Sequence, residues 1–504
     1  MKRLSAWGAA TAPRVPNFSW ADPGRRRVAF LGLLLSLSPV VVRGAACVAT
    51  AEAARGPLAE ALYQLVDEAQ VANLELLGGT EEVQHRIAVL EAARARYLPQ
   101  VEFQARYTVA AGGRTVEIPI KDYLSPVYTT LQQLRPTSSY PPLTNEEIPF
   151  QRSHEQDTAI TVKQTLFDAS LGASRNAAAR GLENSRAALA ALRDRVTRDM
   201  ELAYLSFLQA DAEARVLDRA VDLAGENLRV SRALFDRGKQ TRDFVYRAEA
   251  DLMEVTQEHF GASSALETQC AYVNLLRNYP LASDVRTSDA DQAVAAELSE
   301  ATVGSDARGD LTELTEEALS SRKDLFALDA AYDEARANVA LALANYKPTL
   351  SLVLEAGTQG ISYGLSAADR YVLADIVLRF NLFDGGGTRA SVADALSLAA
   401  KLASARADAQ NRIRFEVQQT LQNLAISRRS AKTAAKRLEA AREAFRISAR
   451  KRDLGSISQA EFVDARRTLT EAELNVNRTQ FAVLSSHAEL DYTIGRVARA
   501  LQGQ

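Results

Sequence analysis

Two stretches of this chain carry the same order of signals. That recurrence constrains the fold more than any single motif does. The first stretch runs Tyr97-Leu98-Pro99-Gln100-Val101-Glu102-Phe103 and later Gln164-Thr165-Leu166-Phe167-Asp168. The second runs Tyr346-Lys347-Pro348-Thr349-Leu350-Ser351-Leu352 and later Phe380-Asn381-Leu382-Phe383-Asp384. Gly238 and Ala248 stand ten apart, as do Gly455 and Ala465. From Leu-Phe-Asp onward the halves keep an offset of 216 or 217, whereas Pro99 and Pro348 lie 249 apart. The first half therefore carries about 33 extra residues between its Pro and its Leu-Phe-Asp. Each half reads as a helix, a Pro, an extended segment, a loop, a second extended segment, a very long helix, a Gly break and a shorter helix.

The extended segments have a period of two. Val101, Phe103, Ala105, Tyr107 and Val109 alternate with Gln100, Glu102, Gln104, Arg106 and Thr108. Ile160, Val162 and Leu166 form a second set. Leu350, Leu352, Leu354 and Ala356 form a third, and Val372, Ala374, Ile376, Leu378 and Phe380 a fourth. Such alternation predicts strands with one apolar and one polar face. Their length suits a tilted crossing of a membrane, and equally an ordinary half-exposed antiparallel sheet.

The helices narrow the choice. Val196, Met200, Ala203, Phe207, Ala210, Ala214, Leu217, Val221, Ala224, Leu228, Ser231 and Phe235 follow a 4-3 spacing, a coiled-coil seam. Most of it recurs in the second half, from Ile413, Val417 and Leu424 to Leu438 and Ala441. The predicted helix 169–236 has 68 residues and would run about 100 Å, longer than a compact domain is wide. The shorter helices 315–346 and 242–279 together match that length, so stacked pairs can line one long helix. The composition agrees: 7% aromatic in a chain 47% hydrophobic, with much of the apolar share Ala, suits thin helical walls rather than one thick core.

Before these elements, Arg25-Arg26-Arg27 precede a 15-residue apolar run, Val28–Val42, and then Arg43-Gly44-Ala45-Ala46-Cys47. That is the pattern of a signal peptide, 1–46, too short for a transmembrane helix. Cys47 follows small residues as a lipidated cysteine does, although Gly44 stands where a bulky aliphatic is expected. The other reading ends the signal at Ala46 or Ala51. The whole chain has a net charge of −3; removing 1–46 would leave about −9, which disfavours nucleic acid as a partner.

Four strands cannot close a membrane barrel, so several chains would have to contribute. Taken together, these features resemble the TolC family of outer-membrane channel proteins over about residues 57–497. The carriers are the two helix-Pro-strand units, Leu382-Phe383-Asp384-Gly385-Gly386-Gly387, Arg322-Lys323-Asp324-Leu325, and Gly455 followed by Ala465-Arg466-Arg467-Thr468-Leu469. The resemblance implies an α+β membrane protein. It would be a homotrimer sharing a 12-strand outer-membrane β-barrel, four strands per chain, continuous with a long coiled-coil periplasmic tunnel. It implies a passive exit duct for efflux or type I secretion, with a periplasmic adaptor and an inner-membrane pump as partners and no cofactor.

The implied layout is a tandem repeat. The first unit, 57–280, holds strands 99–109 and 157–167 around an extracellular loop 110–156, the long helix 169–236, a tip turn 237–241 and helix 242–279. An equatorial linker, 281–314, joins it to the second unit, 315–497. That unit holds helix 315–346, strands 348–358 and 371–382, the long helix 388–453, a tip turn 454–457 and helix 458–494; a tail, 498–504, follows. The tip turns centre on Gly238 and Gly455. By resemblance, Glu461 and Asp464, six and nine residues after Gly455, line the constriction. Two acids at i and i+3 also describe a plain solvated helix face. The matching first-half positions are Phe244 and Arg247. Arg247, or Arg242 nearby with Asp243 between, is expected to pair with an acid across the tip and hold it closed.

No catalytic constellation is present: His85, His154, His259 and His487 lack metal-ligand spacing, and there is no GxSxG, Walker or HExxH motif. Two other classes compete. An elongated periplasmic coiled-coil scaffold or adaptor would lack amphipathic strands of membrane length. A diffusion porin would need many more strands.

Overall fold

The computed structural model describes residues 57–149, 152–285, 310–362, 364, 366–454 and 456–496. The expected signal peptide, Cys47, linker residues 286–309, Gly455 and the tail lie outside the described residues. Helices α1 (Pro57–Ala72) and α2 (Leu74–Ala95) lead into β1 (Gln100–Val109). Then come β2 (Thr115–Ile118), α3 (Ile120–Leu134), β3 (Glu146–Pro149), β4 (His154–Asp168), α4 (Ala169–Asp236) and α5 (Arg242–Leu276). The second half has α6 (Leu311–Ser321), α7 (Lys323–Ala344), β5 (Thr349–Gly360), β6 (Arg370–Arg379), α8 (Gly387–Asp453) and α9 (Gln459–Thr493).

The four long strands form one antiparallel sheet in the order β1-β4-β5-β6. Phe103 lies opposite Ile160, Ile160 opposite Ala356, and Ala356 opposite Val372. Residues opposite one another share a face, so the apolar sets of all four strands merge into one surface. Glu102, Arg106, Asp157, Lys163, Glu355 and Asp375 fall on the other face, where Arg106 donates to Asp157 at 2.9 Å. Phe103 is 69% exposed and Val372 82%, so no element among the described residues covers the apolar face.

Each Leu-Phe-Asp run is the turn from strand to long helix. Asp168 is the N-cap of α4, its carboxylate accepting from the Ser170 N–H at 2.8 Å. Asp384 accepts from the N–H groups of Gly386 (3.0 Å) and Thr388 (2.7 Å). Gly385 and Gly386 have φ of 68° and 95°, a left-handed path that glycine follows without a steric cost. The Asp thus satisfies helix N–H groups that would otherwise lack partners.

The helices pack as two series that share α4 and α8. Nearer the sheet the order is α2–α4–α7–α8, and farther from it α5–α4–α9–α8. Where the series meet, Val196, Met200, Tyr204 and Phe207 of α4 pack with Leu65 and Val66 of α1, Val273 of α5 and Phe481 of α9. A second cluster joins Leu314 of α6, Ile413, Val417 and Leu424 of α8, and Val483 and Leu490 of α9. Most seam residues are buried, from Val196 through Ser231 in α4 and from Ile413 through Ala441 in α8. Phe235, at the end of the seam, is 39% exposed.

The inserted segment is more than a loop. β2 and β3 pair as a ribbon, and α3 lies between them. Asn145 ties them together: its side chain accepts from the Lys121 N–H at 3.1 Å and donates to Glu117 at 2.6 Å. Tyr128 meets Tyr140 edge-on with ring centroids 5.8 Å apart. The apolar period within 120–134 is helical, a signal that the Pro-rich surroundings of the segment mask.

Candidate functional site

The site expected at the far end of the long helices is built from two turns and the helices they start. α4 closes with Gly238 at φ 66°; Gly238 N–H donates to Phe235 O at 2.8 Å and Lys239 N–H to Leu234 O at 2.9 Å. This is a Schellman closure, which favours glycine at the left-handed position. At the second turn Ser456 N–H donates to Lys451 O at 2.8 Å, the equivalent bond.

α9 opens with a capping box. The Ser458 hydroxyl accepts from the Glu461 N–H at 3.2 Å, and the Glu461 carboxylate accepts from the Ser458 N–H at 3.1 Å. Glu461 therefore has a structural task beside any role in a constriction, and Ser458-x-x-Glu461 is the sequence signal that marks it. Asp464, one turn further on, is exposed. It lines a cavity of about 290 Å³ with Arg247, Gln459, Ala460, Val463 and Arg467.

The fold thus brings Arg247 of α5 and Asp464 of α9 to one cavity. Among the described residues, no ion pair joins Arg242 or Arg247 to Glu461 or Asp464. Arg247 instead lies 3.9 Å from Asp243 on its own helix, with both side chains more than half exposed. Such a pair contributes little. Asp243 also accepts from the Thr241 hydroxyl. The Arg242 guanidinium lies 5.4 Å from the Tyr246 ring centre.

Beneath these exposed charges sits a buried polar layer. Arg466 of α9 donates to Asp251 of α5 at 2.6 Å, the side chains being 2% and 5% exposed. Gln459 donates to Asn227 of α4 at 3.1 Å, again buried. Phe462 is wholly buried against Phe445, with Arg452 over its ring at 4.3 Å. Phe462, Arg466 and Leu469 share one helix face by their 4-3 spacing. An arginine on an apolar face requires a buried partner, and that was the available signal for this layer.

The comparisons with known proteins agree with this architecture. Residues 314–496 match the family model for outer membrane efflux proteins. The CmeC outer membrane channel of Campylobacter jejuni superposes with a TM-score of 0.67 at 15% identity, over 87% of this chain and 86% of that one. VceC, an outer membrane protein of Vibrio cholerae, gives 0.65 at 15% identity, over 86% and 96%. The open state of the Neisseria gonorrhoeae MtrE outer membrane channel gives 0.65 at 18% identity, over 86% and 88%. At these identities the likeness is one of fold. No curated protein sequence matches the chain.

The fold is that of the outer-membrane channel proteins, and the resemblance to the TolC family read from the sequence holds. Residues 314–496 match an outer membrane efflux protein domain, and that match together with the shared fold supports the outer membrane as the location. No helix among the described residues is long and apolar enough to cross a membrane.

Proposed function

We propose that three copies of this chain close a 12-strand barrel and a helical tunnel, forming a passive exit duct for efflux or type I secretion. One observation carries the reading: at every level the chain is an open series of four elements. Among the described residues, the sheet ends in two unpaired edges, β1 and β6, and has one uncovered apolar face. A membrane tolerates neither edge, because unpaired N–H and C=O groups find no water in lipid. The helical series ends likewise, in α5 and α8, and both edges expose apolar side chains. Met253 and Phe260 on α5 are 56% and 67% exposed, and Phe415 and Ile426 on α8 are 64% and 61% exposed. Association of like copies covers both sets and pairs both edges. The matching element order of the two halves is the product of a tandem repeat, each unit supplying two strands, one long helix and a stacked pair.

The duct narrows at the tip, where three copies of Glu461 and Asp464 form acidic rings that attract cations. Arg247, at the same cavity as Asp464, tempers that charge and helps to hold the tip closed. A periplasmic adaptor docks against the helical part, and an inner-membrane pump supplies energy and substrate choice. Reconstitution into planar bilayers tests the reading. Discrete, cation-preferring channels of low conductance are expected, and a protein that leaves membranes unpermeabilised and absent from outer-membrane fractions would overturn it.

A further inference from the structure

The insertion between β1 and β4 presents an apolar surface that nothing among the described residues covers. Leu124, Val127, Leu131 and Leu134 share one face of α3, which buries no residue; Val127 is 53% exposed and Leu134 74%. The β2–β3 register places Val116, Ile118 and Ile148 on one face of the ribbon, all 40% exposed or more. This unit is internally hydrogen-bonded through Asn145, so its apolar faces are displayed by a built structure rather than by a slack loop.

We infer that this β2–α3–β3 unit is a contact between copies, its apolar helix face packing on a second copy of the chain at the outer mouth of the barrel. The inference rests on the multi-copy assembly proposed above. Its first support is position. β1 is the free edge of the sheet, and the insertion starts one residue after it and closes back where Ala110 N–H meets Ser153 O at 3.0 Å. In any barrel of several copies, the strand beside β1 is β6 of a neighbour, so the insertion stands at the seam between copies. The β5–β6 turn reaches the same end of the sheet, as Gln156 pairs with Gly360, and there Ile361 is 64% exposed.

Charge is the second support, and it separates a protein partner from a lipid surface. Helices that lie in a membrane interface carry Lys and Arg on the polar face, which meets anionic headgroups. The fifteen residues of α3 contain one base, Lys121, and one acid, Asp122; the rest of the polar face is Ser, Thr and Gln. Such a helix gains nothing from an anionic surface, while its apolar stripe suits a protein groove.

A photo-activated cross-linker separates the outcomes in the purified full-length protein. p-Benzoylphenylalanine is placed at Val127 or Leu131 on the apolar face and at Gln133 on the opposite face, and the copy number in detergent is measured by sedimentation. Chain-to-chain adducts from Val127 and Leu131, many-fold above those from Gln133, are expected. Adducts to lipid, or none, in a protein that sediments as a multimer would overturn this contact alone. A protein that sediments as a monomer would overturn the assembly and the contact together.

Discussion

Arg466 of α9 and Asp251 of α5 form a 2.6 Å ion pair almost wholly shielded from solvent, between the two halves of the chain. Among the described residues, Asp251 Oδ2 and Arg466 Nε and Nη1 find no hydrogen-bond partner, so the pair is incompletely satisfied. Its net contribution is therefore modest, while loss of one partner strands a buried charge. Arg466→Met or Asp251→Leu alone should cost roughly 3–5 kcal/mol of stability. The double variant should recover most of that. Thermal unfolding followed by circular dichroism closes the double-mutant cycle; additive losses would show that the two residues act independently.

A second prediction concerns pH. Glu201 on α4 is pushed up to about 7, first by burial and then by the charge of Asp491, against the opposing His487. Asp491 and His487 face it from α9, and Arg428 of α8 lies close to His487. The unfolded chain ionises this carboxyl near 4.5, so between that pH and 7 the folded state holds the extra proton. Its stabilising contribution is complete below 4.5 and lost as pH rises through 7, by no more than about 3 kcal/mol. His487 is raised as well, chiefly by its bond to Asp491 at 3.2 Å, and its contribution is lost in the same direction as pH rises. Glu201→Gln should flatten the fall in melting temperature across that window. An unchanged slope would show that Glu201 is solvated.

Helix capping gives a third. Asp168→Ala removes the acceptor for the Ser170 N–H at the start of α4 and should cost about 1 kcal/mol, with Asp168→Asn nearly neutral. The Thr388 hydroxyl and the N–H groups of Thr388 and Gly386 hold the Asp384 carboxyl below the usual carboxylate range. That support is present at neutral pH and is lost as pH falls through the lowered value. Melting curves of Asp384→Asn should therefore approach wild type in strong acid and lie below it at neutral pH.

The last concerns the tip. Asp464→Asn should lower the cation preference of reconstituted channels several-fold, since Asp464 faces the cavity and caps nothing. Glu461→Gln preserves the capping pattern and isolates charge from folding; Glu461→Ala removes both. Arg247→Ala should raise single-channel conductance. Equal ion selectivity in wild type and Asp464→Asn would remove the acidic ring from the mechanism.

Much of this molecule was legible in one dimension. The 4-3 seam from Val196 to Ser231 set the long helix, because burial on one helical face has a fixed period. The alternation from Val101 to Val109 set a strand for the same kind of reason, and Leu-Phe-Asp marked where strand gives way to helix. What the sequence left open was pairing across distance. Only the fold placed β4 between β1 and β5 and so merged four apolar sets into one face. Only the fold set Arg466 against Asp251, Gln459 against Asn227, and Arg247 beside Asp464. Periodicity reports which way a side chain points along its own element; which partner it meets depends on how separate elements pack. The sequence by itself determined the long helices and the four long strands with the faces they present, but not the β2–α3–β3 unit inside the expected loop. The tertiary structure decided which faces meet and which, like the apolar face of α3 and the edges of the sheet, nothing among the described residues covers.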